Sequence, residues 1–261
     1  ERIVFITTPN YLKLKDLWGN YNPNTKYLSI FDDLNTQIKT ILEFRPQVIC
    51  GFSSSIRDLA QEIKERNINT IKTKAIFTVG EVLTRKDRQL IESSFHTEVF
   101  DYYSANECGL IAWECKKHSG YHINSDSVIV EILKEDGTPA KPKEEGEIVI
   151  TSLDSYTMPF IRYRLSDIAV ASDEKCSCNI KFPLIKMISG RVNDSIILAD
   201  ERRIYDMIIL ASKLDFLEGI KQYQIIQKDF DIIKLNIVKD DNRFLPEAIK
   251  IIENDLRSIL G

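Results

Sequence analysis

The chain has 261 residues, with 35 basic and 39 acidic side chains and a formal net charge of −4. Because neither sign is concentrated in a long block, the charge pattern argues against nucleic acid as a partner. Apolar runs stay well short of the roughly 20 residues that cross a bilayer, so we expect a cytoplasmic protein without a membrane partner. The length allows two or three compact units.

The first hundred residues alternate between helix and strand patterns. Asp32 and Asp33 can accept the free N–H groups at the start of a helix whose apolar face comprises Leu34, Ile38, Ile41 and Leu42. The run QVICG predicts a buried strand, and the serines at 53–55 then cap a second helix, with its apolar face at Ile56, Leu59, Ala60 and Ile63. KAIFTVG and TEVFDY predict two more strands, separated by a helix that begins at Thr84 with Asp87 in capping-box spacing. Strands separated by helices predict a parallel sheet.

Polar segments follow three of these predicted strands: GFSSS at 51–55, GE at 80–81 and YYSANE at 102–107. Ligands of open parallel sheets bind beyond the carboxyl ends of the strands. We therefore expect Glu81 and Glu107 to be neighbours beside a ligand. The alternative is that the serines only cap a helix and Glu81 only faces water.

After residue 120 the pattern becomes that of antiparallel strands. SVIVEIL and GEIVITSL are separated by a turn signal at Asp136-Gly137, and MPFIRYRLSDIAVA and FPLIKMISGRVNDSIIL follow. Beyond Arg191 we predict a helix around 205–214, a hairpin YQIIQ-KDFD-IIKLNIV and a helix beginning near Pro246. The expected fold is α/β: a parallel α/β subdomain at 1–102, a small antiparallel β-barrel at 103–189 and a C-terminal α+β domain at 190–261.

Two short stretches suit a nucleotide: YRLSD at 163–167 and GRVND at 190–194. A carboxylate can accept hydrogen bonds from ribose hydroxyls, and a guanidinium can pair with phosphate or sugar oxygens. The alternative for the first stretch is a weak surface ion pair between Arg164 and Asp167.

Several linked motifs resemble those of adenylate-forming enzymes. YSANE at 103–107 is similar to their Tyr-Gly-x-Thr-Glu, YRLSD to their Tyr-Arg-Thr-Gly-Asp and GRVND to their Gly-Arg-x-Asp-Asp, in the same order. FTVGE, HINSD, VEIL, GEIVITSL and MPFIRYR resemble stretches of the phenylacetate–coenzyme A ligases and their capsule-biosynthesis-type relatives. The resemblance covers residues 45–200.

This resemblance implies a reaction in two steps. A small carboxylate attacks the α-phosphate of ATP to give an acyl-adenylate and pyrophosphate, and coenzyme A then takes the acyl group. Because an anion must approach a polyanion, Mg²⁺ and cationic groups are needed. The implied partners are therefore the carboxylate, ATP and coenzyme A, and the sequence does not reveal the acyl group or the oligomeric state.

The resemblance also implies roles for individual residues. Glu107 is the catalytic position that would ligate Mg²⁺, and Asp194 would be the hinge at which the last domain swings. Tyr103 would lie against adenine, and Asp167 would hold the ribose hydroxyls with Arg191 beside it. The full set of implied nucleotide-binding positions is Gly80, Glu81, Tyr103, Ser104, Asn106, Asp167 and Arg191.

The chain departs from the family pattern at several places. Asn106 stands where the family has Thr, and Ser166 stands where it has Gly, which affects the phosphate contacts and the loop geometry. Residues 1–50 contain no counterpart of the phosphate loop, and DLRSILG contains no counterpart of the C-terminal lysine. With the missing initial Met, these differences lead us to expect a fragment of a longer ligase.

The cysteines suggest a metal site. Four N/S ligands could close a tetrahedral zinc site, and the related ligases have a similar Cys…His…Cys-x-Cys arrangement. The candidate ligands are Cys115, His122, Cys176 and Cys178. His118 is the alternative imidazole, and the simpler interpretation is loop thiols beside a solvated His. Cys50 and Cys108 are expected to be apolar packing residues.

The sequence thus predicts an AMP-forming coenzyme A ligase for an aryl or small acid, with a possible structural Zn²⁺. One alternative is a non-catalytic nucleotide- or acyl-binding module of a capsular polysaccharide or other biosynthetic cluster. Another is a nucleotide-sugar enzyme, because a parallel sheet with acidic loop ends also serves that chemistry.

Overall fold

The computed structural model describes residues 1–11, 13, 22–198, 203–204, 219–239 and 247–260. The chain divides into two compact units. The first comprises Glu1–Val130, Ile150–Tyr163 and Ser172–Lys186, and the second comprises Glu131–Val149, Arg164–Ala171 and Met187–Gly261. The division into three domains at residues 102 and 189 stays a prediction.

Most strands belong to one mixed sheet. Their bounds are β1 Ile3–Thr7, β2 Thr25–Ser29, β3 Val48–Phe52, β4 Ala75–Val79, β5 Val99–Ala105, β6 Gly109–Glu114, β7 Tyr121–Ile123, β8 Val128–Leu133, β9 Glu145–Ser152, β10 Tyr163–Ala171 and β11 Leu184–Arg191. The order is β2-β1-β3-β4-β5-β6-β7-β11-β10-β9-β8, and β8 to β11 have residues in both units. β1 to β5 pair in parallel, while β6 pairs antiparallel with β5 and with β7. The α/β class is confirmed, but a separate barrel is not.

Within residues 22–198, three helices lie between the parallel strands, and the apolar faces of the first two lie where the sequence predicts. They are α1 Leu34–Phe44, α2 Ser53–Glu65 and α3 Arg85–Phe95. The Asp33 carboxylate caps α1 by accepting the Thr36 N–H at 3.0 Å, and Thr84 caps α3. The predicted face of α2 is fully buried in the core of the first unit. The prediction that the serines cap α2 is wrong, because the residue at the cap position is Phe52, which makes no side-chain cap hydrogen bond.

The second unit contains shorter elements. They are a 3₁₀ turn Val192–Asp194, β12 Ile196–Ile197 paired with β13 Arg203–Ile204, β14 Ile220–Asp229 paired with β15 Ile232–Lys239, and α4 Glu247–Leu260. Ile252 of α4 is buried against the β14–β15 hairpin. The predicted hairpin and last helix are therefore confirmed, and the predicted helix around 205–214 lies outside the described residues. Among the helices described, none is long and apolar enough to span a bilayer.

Candidate functional site

The three predicted polar segments share one edge of the sheet. β3, β4 and β5 are parallel neighbours, with Phe52 opposite Val79 and Val79 opposite Tyr102. Because parallel strands end on the same side, the segments that follow them emerge together. The segments therefore lie at one sheet edge, as the strand pattern predicts, and the site roles of their residues stay predictions.

Glu81, which follows β4, contacts the start of α2. Its carboxylate accepts the Ser54 N–H at 2.8 Å, and its backbone oxygen accepts the Ser53 hydroxyl at 3.2 Å. A carboxylate at this position satisfies a helix N–H that has no partner within the helix and complements the helix dipole. Glu81 therefore supplies from β4 the cap that the serines do not supply, while its side chain stays exposed.

Gly80 makes the turn between β4 and Glu81. Its φ is +79°, a conformation that favours glycine, and a Cβ there would lie 2.8 Å from the Phe52 ring. The close approach brings the Phe52 ring against the end of β4. Both the sign of φ and this contact explain why a side chain would not fit at position 80.

The motif YSANE lies on a β-hairpin between β5 and β6. Ala105 pairs with Gly109, whose φ is +69°, and the Cys108 N–H donates to the Ala105 oxygen at 3.3 Å. This is a three-residue hairpin loop with glycine at the left-handed position. Asn106 and half-buried Glu107 therefore lie at the tip of the hairpin. The side chains of Tyr103 and Ser104 are half-buried on the strand that leads to it.

A buried carboxylate, Asp101, lies below this edge on the same strand. It accepts the Thr78 hydroxyl from β4 at 2.5 Å and the Tyr121 hydroxyl from β7 at 2.7 Å. Burial is the main reason why the pKa of Asp101 rises to about 6, with the two hydroxyls opposing the shift. The sequence analysis did not identify this residue, although a carboxylate within an apolar strand run requires donors.

A second buried carboxylate, Glu114, lies beside Asp101 on β6. One amino group of Arg88 from α3 donates to its two oxygens at 2.8 and 2.6 Å, and the Asp101 N–H donates to it at 2.9 Å. Arg88 also donates to the Val99 backbone oxygen at 2.5 Å. Polar groups from four strands and one helix thus meet on the helix-covered side of the sheet.

Two further predicted residues, Asp167 and Arg191, meet in the second unit. The Arg191 Nε donates to the Asp167 carboxylate at 3.1 Å. Arg164 pairs instead with Glu147 at 2.7 Å, so the alternative surface pair with Asp167 is not what this arginine forms. Ser166 has a φ of +61°, so it adopts the left-handed conformation for which the family uses glycine.

The four predicted metal ligands come together in the first unit. The ligand atoms of Cys115, His122, Cys176 and Cys178 all lie within 4.8 Å of one another. The Cys115 and Cys176 sulfurs are 3.6 Å apart, and Cys178 Sγ is 3.3 Å from His122 Nε2. Three thiols and one imidazole are a donor set for tetrahedral zinc. The group could therefore hold a metal ion, and all five cysteines of the chain are free.

The surroundings of the group distinguish the two candidate histidines. His122 is buried, and its Nδ1 lies 3.4 Å from the Phe182 oxygen, so a proton on Nδ1 would leave Nε2 for a metal. His118 lies elsewhere, with its ring nitrogens 3.2 Å from Glu114 and 3.3 Å from Glu98. The structure thus groups His122, and not the alternative His118, with the cysteines.

A cavity of about 420 Å³ lies beside the β5–β6 hairpin. Its exposed lining is mostly apolar and comes from Phe77, Phe100, Tyr102, Leu110 and Trp113, with Asp101, Glu114 and Asn124 also at its wall. The Phe77 and Phe100 rings stack with their centroids 5.6 Å apart. Such a pocket suits a flat apolar group.

Comparisons with known proteins agree with this geometry, although no protein-family model matches the chain. The chain is 26% identical over 196 residues to a phenylacetate-coenzyme A ligase of Thermus thermophilus, covering 73% of this chain and 44% of the relative. It is 26% identical over 257 residues to Protein CapK of Staphylococcus aureus, covering 95% of this chain and 56% of the relative. A crystal structure of 2-hydroxyisobutyryl-CoA ligase with R3-HIB-AMP matches at a TM-score of 0.79 and 17% identity, over 100% of this chain and 60% of that chain.

The resemblance to the adenylate-forming superfamily is confirmed. The phenylacetate–coenzyme A ligases and CapK are relatives of this chain. The chain spans about half the length of these two relatives, at 44% and 56%. The individual nucleotide-binding roles stay predictions, as does the expected proximity of Glu81 and Glu107.

Proposed function

We propose that the protein activates a carboxylate with ATP to an acyl-adenylate and transfers the acyl group to coenzyme A. The observation that carries this proposal is the β5–β6 hairpin, which presents the YSANE motif at the carboxyl edge of the sheet. The sequence relatives named as phenylacetate-coenzyme A ligases and the solved ligase with its acyl-AMP support it.

Each motif residue has a proposed task in the first step. Glu107 at the hairpin tip would hold Mg²⁺, and the ion would supply positive charge to offset the negative charge of the phosphates. Tyr103 contacts the adenine, and Ser104 and Asn106 contribute polar atoms beside it. Gly80 lines the adenine side, and Glu81 acts there by fixing the start of α2.

Asp167 and Arg191 form the proposed ribose clamp. The Asp167 side chain is only 14% exposed, while that of Arg191 is 69% exposed, so the carboxylate is held in place and the guanidinium reaches outward. A carboxylate already oriented by a guanidinium can accept two ribose hydroxyls without reorganising. Asp194, at the end of the 3₁₀ turn, is the proposed hinge between the two half-reactions.

The acyl group is proposed to be an aryl acid. The support is the cavity beside the hairpin, whose stacked Phe77 and Phe100 rings offer an apolar wall to a planar group. Phe52 packs against Gly80. A pocket of this composition favours apolar aryl acids over short hydrophilic acids.

The test is carboxylate-dependent pyrophosphate release by the protein expressed from its complete natural gene, across a panel of aryl and short-chain acids. We expect aryl acids to be preferred and Glu107→Gln and Asp167→Asn to reduce the rate by on the order of 10²-fold or more. Asp126→Asn, an exposed carboxylate of the first unit, is the matched control and should leave the rate unchanged. Wild-type rates in both motif variants would contradict the assigned roles, and ATP binding without pyrophosphate release would favour a binding module.

We also propose that the Cys–His group holds a structural Zn²⁺. All four positions are supplied by the protein, which is typical of a closed structural site. The ligands follow β6, lie on β7 and lie between β10 and β11, so an ion there would hold these segments of the first unit together. The contact between His122 Nδ1 and the Phe182 oxygen supports this assignment, because it leaves Nε2 free to face the metal.

Metal analysis of protein purified without chelators tests the zinc proposal. We expect close to one zinc per chain, and loss of it in the double variant Cys176→Ser with Cys178→Ser. Cys108→Ser, a half-buried thiol outside the group, should retain the metal. A stoichiometry near zero in the unaltered protein would contradict the proposal.

A further inference from the structure

The end of the β5–β6 hairpin projects beyond its neighbouring strand. β4 ends at Val79, which pairs with Tyr102, so the three pairs from Tyr103 to Gly109 have no β4 residue beside them. β7 pairs with β6 only as far as Ala112. A two-stranded hairpin by itself is marginally stable in water. The orientation of the tip therefore depends on what holds the base of the hairpin.

Both strands of the hairpin are held at the base by buried charge. On β5, the Asp101 carboxylate binds the Thr78 hydroxyl of β4 and the Tyr121 hydroxyl of β7. On β6, the Glu114 carboxylate binds Arg88 and the Asp101 N–H. The Tyr121 bond reaches across β6, because β6 lies between β5 and β7 in the sheet. Nearer the tip, Asn124 donates to the Ile111 and Leu110 oxygens.

We infer that Asp101 is the positioning residue that fixes the β5–β6 hairpin, and with it Glu107, against the end of β4. Its two carboxylate oxygens join three strands, β4, β5 and β7, one rung below the last pair of the β4–β5 ladder. Asp101 also lines the cavity beside the hairpin, and its proposed effect on Mg²⁺ is transmitted through the hairpin that carries Tyr103 and Glu107. In assigning it an effect on the reaction, the inference rests on the proposed function.

The alternative is that Asp101 only stabilises the fold. The two cases differ because a buried ionised carboxylate is costly by itself. Burial is the largest cause of the rise in the Asp101 pKa to about 6; Glu114 adds to this rise, and the Thr78 and Tyr121 hydroxyls and Arg88 oppose it. Tyr121 is the remaining titratable group in contact with it. Replacement by the isosteric amide removes the charge, so the melting temperature at neutral pH should not fall even though the hairpin loosens.

Hydrogen–deuterium exchange at pH 7.5 tests the structural part, using the protein expressed from its complete natural gene. We expect Asp101→Asn to accelerate exchange about tenfold in the peptide 102–112 and to leave the α2 peptide 53–65 unchanged. Thr78→Val removes one of the two hydroxyl donors and should give a smaller change at the same peptide. Asp126→Asn is the control. Unchanged protection of 102–112 in both Asp101→Asn and Thr78→Val would overturn the inference, whether or not the protein is a ligase.

The Mg²⁺ dependence of pyrophosphate release tests the functional part. Because the hairpin carries the proposed Mg²⁺ ligand, Asp101→Asn should raise the Mg²⁺ concentration for half-maximal rate by about 10-fold or more, as disturbed supports of metal ligands do. Faster exchange with unchanged Mg²⁺ dependence would overturn the positioning role in catalysis. An unaltered protein that releases no pyrophosphate would refute the proposed function instead, and the exchange data would still decide whether Asp101 fixes the hairpin.

Discussion

Carboxylates occur at two depths around β4 and β5, and they are held in different ways. Below the last pair of the β4–β5 ladder, Asp101 and Glu114 are buried, and donors from strands and α3 bind the oxygens of both. Beyond that pair, Glu107 lies half-buried at a hairpin tip, and Glu81 is exposed with one oxygen on the start of α2. Only a buried charge must be paired within the protein. The buried pair Asp101 and Glu114, here called the inner set, therefore supports the carboxyl edge of the sheet, and the outer set of Glu81 and Glu107 is available to a ligand.

The largest expected effect comes from removing Arg88, the cation that binds the buried Glu114. Arg88→Met leaves Glu114 buried without its guanidinium, which should lower the free energy of unfolding by about 3–5 kcal/mol. Denaturant unfolding measures it. Arg57→Met is the matched control, since Arg57 pairs with neighbouring Asp58 at 2.9 Å on the partly exposed surface of α2 and should contribute about 1 kcal/mol or less.

A companion variant separates charge from packing. Arg88→Met combined with Glu114→Met removes both charges, and it should recover much of the lost stability because no unpaired charge remains. If Arg88→Met is as stable as the Arg57→Met control, the inner set does not support the edge, and the distinction between the two depths fails.

The next effect is a dependence of stability on pH. The pKa of Asp101 rises from 3.8 to about 6 on folding, so the folded protein holds its proton more tightly than the unfolded chain does. Its contribution is fully present below about pH 4 and is lost as pH rises towards 6. A shift of roughly two units corresponds to about 3 kcal/mol.

The free energies of unfolding of the protein and of Asp101→Asn are compared at several pH values between 4 and 7. The difference isolates the contribution of Asp101, because all other titrating groups are the same in both proteins. We expect the stability difference between the two to move in favour of the variant as pH rises. A constant difference over this range would mean that Asp101 is not buried as a titrating acid. Asp126→Asn, on the surface, should show no such trend.

The sequence predicted the parallel part of the fold well, because each strand–helix unit carries its own signals. The Asp32–Asp33 pair and Thr84 indicate two helix starts, and the apolar spacing identifies the buried faces of α1 and α2. β2, β6 and β7 were missed. Their residues form short strands of three to six residues whose apolar pattern is interrupted, and pairing with a neighbour rather than local pattern determines them.

The candidate site divides in the same way. Glu107 and the ligand group with His122 were predicted with the help of a resemblance to known ligases; the four ligand atoms do come together, and the role of Glu107 stays a prediction. Asp101 and Glu114 could not be predicted, since their partners Thr78, Arg88 and Tyr121 lie 20 to 26 positions away or on other strands, and no local spacing indicates them. The cap on α2 was missed for the same reason: it comes from Glu81, 27 residues away.

The smallest expected effect is at the outer edge. Gly80 and Gly137 share a φ of +79°, but a Cβ on Gly80 would meet the Phe52 ring at 2.8 Å while a Cβ on Gly137 would meet no atom within 4 Å. Gly137→Ala should therefore lower the free energy of unfolding only by the strain of a left-handed alanine, about 1 kcal/mol. Gly80→Ala should lower it by about 1–2 kcal/mol more, because its Cβ also meets the Phe52 ring. Phe52→Leu combined with Gly80→Ala should recover part of that excess. Equal losses in the two alanine variants, measured by denaturant unfolding, would show that the Phe52 ring moves away without cost and that the outer edge is not fixed by this contact.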